Sequence, residues 1–139
     1  MSEILLRAMI AAAVCALGFG LFRVGSLFVL RKARRGVARF ALPRPGVPGI
    51  VSFTTRSCVT CKAAQRPALS ALEERLGADV QIVEVDAEER PELAREWRVL
   101  SVPTTFVLDR AGTPRQVNHG FASTQKLMSQ LGSVTDTQG

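Results

Sequence analysis

Gly49-Ile50-Val51-Ser52-Phe53-Thr54-Thr55-Arg56-Ser57-Cys58-Val59-Thr60-Cys61-Lys62 decides the reading of this chain. Gly49–Thr54 is short, apolar and β-branched, which reads as a buried strand. From Lys62 the pattern changes, and Leu69, Leu72 and Leu76 share one helical face up to a C-capping Gly77. Cys58 and Cys61 therefore fall between a strand and a helix. A cysteine at a helix N-terminus meets unpaired N–H groups and the positive end of the dipole. Both favour the thiolate, which is the nucleophilic form. Arg56 and Lys62 add positive charge nearby. The two-residue gap lets one turn bring both sulfurs into bonding range, with the second less exposed than the first. The pair is expected to be a redox-active dithiol in which Cys58 attacks and Cys61 resolves.

A zinc half-site is the competing reading of such a pair. Structural zinc takes four ligands. Only Cys15, within an apolar run, and His119 remain as partners, and there is no second pair. The expectation is no metal and no bound cofactor. Three cysteines are also too few for a disulfide scaffold.

Downstream, strand and helix patterns alternate. Val80–Val85 reads as a strand, Pro91–Trp97 as a short helix with proline early, and Thr104–Leu108 as a strand. Arg110–Pro114 is a turn, Arg115–Asn118 a last short strand and Ser123–Leu131 a closing helix. The order implies a parallel pair followed by a hairpin, with helices on the faces, hence α/β. The tail Gly132–Gly139 is polar and reads as frayed.

Upstream, residues 4–30 are strongly apolar. The charge-free run Ala8–Phe22 is 15 residues, about 22 Å as a helix against a hydrocarbon core of roughly 30 Å. Extension in either direction includes Arg7 or Arg23, each off-centre and able to snorkel. One membrane-spanning helix over residues 1–30 is expected. A cleaved signal fits the arginine and glycines near Gly18–Gly25 poorly, and a lipoprotein signal would need a small residue where Val14 precedes Cys15. Cys15 itself reads as a small apolar filler. Ala8, Ala12, Ala16 and Gly20 recur at a spacing that permits a weak homodimer through the helix, although alanine is simply common in such segments.

The net charge of +6 is unevenly placed. Residues 1–48 carry eight basic side chains and one acid, giving +7, and residues 49–139 carry ten basic and eleven acidic, giving −1. The domain thus lacks an electrostatic footprint for nucleic acid. The basic segment 31–48 begins with Arg31-Lys32-Ala33-Arg34-Arg35 and predicts a cytoplasmic domain in a single-pass cell-membrane protein. Leu42–Gly49, with three prolines and two glycines, reads as a semi-rigid spacer before a domain at 49–131.

Taken together, the dithiol before a helix containing Pro67, the Val85-Asp86 ending and Val102-Pro103-Thr104 ahead of a strand resemble the thioredoxin family over about Gly49–Leu131. The resemblance implies a thioredoxin-like three-layer sandwich, a central mixed sheet with flanking helices, preceded by the transmembrane helix. It implies that Pro103 is cis and lies beside the dithiol, and that the Val102 backbone pairs with substrate in a strand-like way. Ser57, Val59 and Thr60 would complete the substrate contact. It also implies departures. Ser57 stands where the family has a tryptophan, Val59-Thr60 where it has Gly-Pro, Ser52 where it has a buried aspartate, and Ile82 where it has the lysine paired with it. A slower or more pH-dependent resolving step is expected. The family's first strand and helix look cut down, with only Gly36–Leu42 able to form an edge strand. Trp97 is expected in the core, His119 at the surface or a hinge, and Glu73-Glu74 and Glu88-Glu89 on solvated faces.

The function implied is a membrane-tethered thiol-disulfide oxidoreductase, facing the cytoplasm as a reductase. Its partners would be protein disulfides, an external dithiol donor or thioredoxin-reductase-like protein, and the lipid bilayer. The alternatives are an extracytoplasmic exchange protein of the cytochrome-maturation or disulfide-formation type, and a non-catalytic binding module.

Overall fold

Gly49–Thr54 forms β1, and the complete burial of Ile50, Val51 and Phe53 explains its apolar character. The computed structural model describes residues 1–37 and 42–136. Ahead of β1 stands a long helix, α1 (Ser2–Val37). After β1 comes one π-helical turn at Cys61–Gln65, which runs into α2 (Arg66–Leu76). The remaining elements are β2 (Gln81–Asp86), α3 (Pro91–Glu96), β3 (Thr104–Leu108), β4 (Pro114–His119) and α4 (Thr124–Asp136).

The four strands lie in the order β2-β1-β3-β4. β1 and β2 are parallel, and β3 is antiparallel to both β1 and β4. This is the expected parallel pair followed by a hairpin. Alternation along β1 divides the core in two. Val51 and Phe53 point to one face with Trp97, Phe106 and Leu93, and Ile50 points to the other with Leu69, Leu72, Leu127 and Leu131. α2 and α4 cover the second face, while α3 and the C-terminal part of α1 cover the first. Trp97 is fully buried, with ring centres 5.6 Å from Phe53 and 4.8 Å from Phe106. Each such ring contributes roughly 1.5–3 kcal/mol by burial.

Three stretches differ from expectation by several residues. α1 does not stop near Leu30. It continues through the basic segment to Val37, with Val29 and Leu30 against the core. Gly36 and Val37 are thus helical; the rest of the expected edge strand, 38–41, lies outside the described residues. Leu42–Pro48 is a strap on the domain instead of a spacer. Leu42 packs on the core, the Arg44 N–H donates to Gln81 Oε1 (3.0 Å), and Gln81 Nε2 donates to the Arg44 and Val47 carbonyls (2.7 Å each). A Pro/Gly loop has no ladder partners, so the buried Gln81 amide satisfies its backbone. α4 runs past Leu131 to Asp136 because Val134 is buried, and 137–139 lie outside the described residues.

Candidate active site

Residues 55–60 connect β1 to the helix, and helical backbone begins directly after Cys58. The first helical bond runs from the Lys62 N–H to the Cys58 carbonyl (3.3 Å), which makes Cys58 the residue that opens the helix. The Cys61 N–H donates to Cys58 Sγ at 3.1 Å. A backbone N–H placed at a cysteine sulfur favours the thiolate over the thiol. The two cysteines are joined as a disulfide, with Sγ–Sγ 2.19 Å and Cα–Cα 5.3 Å. Cys58 is partly exposed and Cys61 is 4% exposed.

The π turn has a chemical cause. Pro67 has no N–H to donate to the Ala63 carbonyl, so the ladder loosens just ahead of it. The Arg66 N–H reaches back to the Cys61 carbonyl instead. This widened turn starts at the buried cysteine.

The Val102–Pro103 peptide is cis, Val102 is half-buried and Pro103 is buried. Thr104 pairs with Phe53, so Pro103 sits at the end of the sheet from which the dithiol loop leaves. Ser57, Val59 and Thr60 are exposed around the pair. The Pro103 carbonyl accepts from the Gly120 N–H (2.9 Å), where Gly120 has φ +85°, a conformation that favours glycine. Beneath the site, Ser52 is buried, with Thr105 and Glu84 opposite it on the neighbouring strands. Ile82 lies two residues from Glu84 on the same face. Thr105 Oγ1 is buried without a hydrogen-bond partner among the described residues. His119 is exposed at the end of β4, Trp97 is in the core, and Cys15 is exposed on α1.

Two contributors were not evident from sequence. Gln65 is 2% exposed, accepts from the Ala122 N–H (2.9 Å) and donates to the Ala122 carbonyl (3.1 Å). It ties the dithiol helix to the segment after Gly120. Nothing local marks it, because its partner lies 57 residues away. Arg56 and Glu89 form an exposed ion pair linking the dithiol loop to the β2–α3 loop. Arg56 is the single charge between Thr55 and Thr60, and Glu89 is one of two adjacent acids, so neither loop by itself marks the pairing.

Residues 43–133 match the family model described as Thioredoxin. The chain belongs to the thioredoxin family. Among curated thioredoxins it is 31% identical to the Bacillus subtilis protein over 78 residues, covering 56% of this chain and 73% of that one. It is 27% identical over 89 residues to thioredoxin Y, a chloroplast protein of rice, covering 64% of this chain and 52% of the relative. The chain thus spans about half the length of the rice thioredoxin. The solved structure of thioredoxin-2, described as a component of the malaria parasite protein secretion machinery, superposes with TM-score 0.62 at 22% identity, over 67% of this chain and 88% of that one. That likeness shows the fold alone. Thioredoxin-family membership, together with the bonded Cys58–Cys61 pair, makes this a thiol-disulfide oxidoreductase, with protein disulfides as its general substrate class.

Proposed function

We propose that the chain is a membrane-tethered reductase of protein disulfides, with its thioredoxin domain in the cytoplasm. The observation that carries the chemistry is the asymmetry of the pair: Cys58 half-exposed at the helix start, Cys61 buried behind it. The Cys58 thiolate attacks a substrate disulfide and displaces one substrate sulfur as thiolate. Cys61, as thiolate, then attacks Cys58. The second substrate sulfur leaves, and the Cys58–Cys61 disulfide remains. The two electrons gained by the substrate come from the dithiol, and an external dithiol donor restores them. Pro103 and Val102 form the edge where an extended substrate segment lies, with Ser57, Val59 and Thr60 as its rim.

The tether reading rests on α1. Ser2–Arg31 is long and apolar enough to cross a membrane, with mean hydropathy 2.2 and its apolar window fully exposed. A signal sequence would have a similar composition. The packing of Val29 and Leu30 on the domain core favours a helix that is retained. Basic residues gather on the domain side of the span, at Arg23, Arg31, Lys32, Arg34, Arg35, Arg39 and Arg44, which favours a cytoplasmic domain. The small-residue stripe at Ala8, Ala12, Ala16 and Gly20 would suit a weak homodimer.

A membrane-impermeant thiol reagent applied to intact cells tests the topology. Cys58 is expected to react only after lysis. Labelling before lysis would put the domain outside and make the chain an extracytoplasmic exchange protein.

A further inference from the structure

We propose that the cleft between α1, β4 and α4 is a binding site for the phosphate headgroup of an anionic phospholipid. The site rests on the reading of α1 as a membrane span. A lipid held there bridges the span and the domain.

The cleft has a volume of about 460 Å³, in the range of small-molecule sites. Phe22, Arg23 and Leu27 belong to its α1 wall, and Arg115, His119 and Lys126 to its domain wall. The ionisable side chains lining it, among the described residues, are two arginines, a lysine and a histidine, with no carboxylate. Residues 49–139 as a whole carry −1, with ten basic and eleven acidic side chains. The gathering of cations is therefore local to this cleft.

The cations differ in how far they are already engaged. Arg115 Nε donates to Asp109 Oδ2 at 2.7 Å, and Asp109 is fully buried, so this pair fixes the Arg115 guanidinium in the wall. The Arg23 guanidinium carbon lies 5.7 Å from the centre of the Phe19 ring. A ring engages the flat face of a guanidinium and leaves its in-plane N–H donors for an acceptor. Neither Arg23 nor Lys126 makes an ion pair among the described residues. One cation from the span and one from the domain thus line a single cleft without a carboxylate. Phosphate oxygens would accept charge-assisted hydrogen bonds from both.

The position of the cleft selects a lipid over a free anion. The charge-free run Ala8–Phe22 ends at it, and α1 is exposed from Ser2 through Gly25. Arg23 is the first charge after that run, so it lies where hydrocarbon gives way to phosphate. This placement depends only on where the run ends along the chain. Phe22 and Leu27 also give the cleft an apolar wall beside its cations. A free phosphate gains nothing from such a wall, whereas the first acyl carbons of a phospholipid do. Basic pockets beside membrane helices on the cytoplasmic side hold anionic headgroups.

The test uses the full chain in neutral detergent, with phosphatidylglycerol or phosphatidylcholine added and bound lipid read by native mass spectrometry. One phosphatidylglycerol is expected to be retained in preference to phosphatidylcholine. Arg23→Gln and Lys126→Gln are each expected to weaken its retention about five-fold, the effect of one headgroup charge. Lys126→Arg should leave retention unchanged. So should Arg75→Gln, which removes a cation from α2 on the opposite face of the sheet. Equal retention of the two lipids, or equal weakening by Arg75→Gln, overturns the site. Displacement of the lipid by an equal concentration of inorganic phosphate shows a free-anion site and overturns the lipid assignment. Release of the chain from native membranes by an alkaline wash overturns the span reading instead.

Discussion

The Arg98 guanidinium carbon lies 5.4 Å from the centre of the Phe28 ring. Arg98 leaves α3 with φ +55°, an unusual conformation for a residue with a long side chain. The contact joins α1 to the segment that leads into Pro103.

A double-mutant cycle with Phe28→Ala and Arg98→Ala, followed by chemical unfolding of the full chain in detergent, is expected to give a coupling energy of about 0.5–1 kcal/mol. Arg98→Gly removes the same contact while relieving the backbone, a cost of order 1–3 kcal/mol in the native protein. It should therefore be less harmful than Arg98→Ala. The reverse order would show that the ring contact outweighs the backbone term.

Cys61→Ser is expected to accumulate a mixed disulfide between Cys58 and substrate, visible on non-reducing gels and lost on reduction. Cys58→Ser should accumulate none. The half-exposed position of Cys58 and the burial of Cys61 set this asymmetry. Equal trapping by both variants would reverse the assigned roles, and no trapping under several redox conditions would favour a binding module.

Ser52 is buried on the face covered by α2, with Thr105 opposite it on β3. No carboxylate occupies its position to accept the proton of the resolving thiol. Ser52→Asp is expected to speed the resolving step and alter its pH dependence, while lowering stability by roughly 1–3 kcal/mol through burial of a charged group. Stopped-flow rates across pH for both proteins check this. Superimposable profiles would show that the residue at this position plays no part in proton transfer.

Thr105→Val replaces a buried hydroxyl that has no partner among the described residues with a methyl group of the same shape. The unfolding midpoint in urea is expected to rise, by the equivalent of about 1 kcal/mol. A fall, with the slope unchanged, would mean that the hydroxyl is satisfied in solution.

Gln65→Leu strands both the N–H and the carbonyl of Ala122, which is itself fully buried. Destabilisation of roughly 2–4 kcal/mol is expected. Faster hydrogen exchange at the Ala122 amide than in distant β2 would localise the effect to the segment after Gly120.

Local sequence determined the reactive centre and the order of elements. A strand made of Ile50, Val51 and Phe53, two cysteines three apart and a leucine face at Leu69, Leu72 and Leu76 are short-range patterns. Each reports on its own few residues. The resemblance carried by Val102-Pro103-Thr104 and Val85-Asp86 supplied the rest of the layout, and the cis bond at Pro103 agrees with it. Tertiary structure alone decided what α1 and Leu42–Pro48 do. An apolar helix of suitable length looks the same in sequence whether its last turns hang free or pack on Trp97 and its neighbours. A Pro/Gly stretch likewise looks the same as spacer or strap, until Gln81, more than 30 residues away, bonds its backbone. Burial and pairing between distant residues depend on where the chain returns. No local periodicity records that.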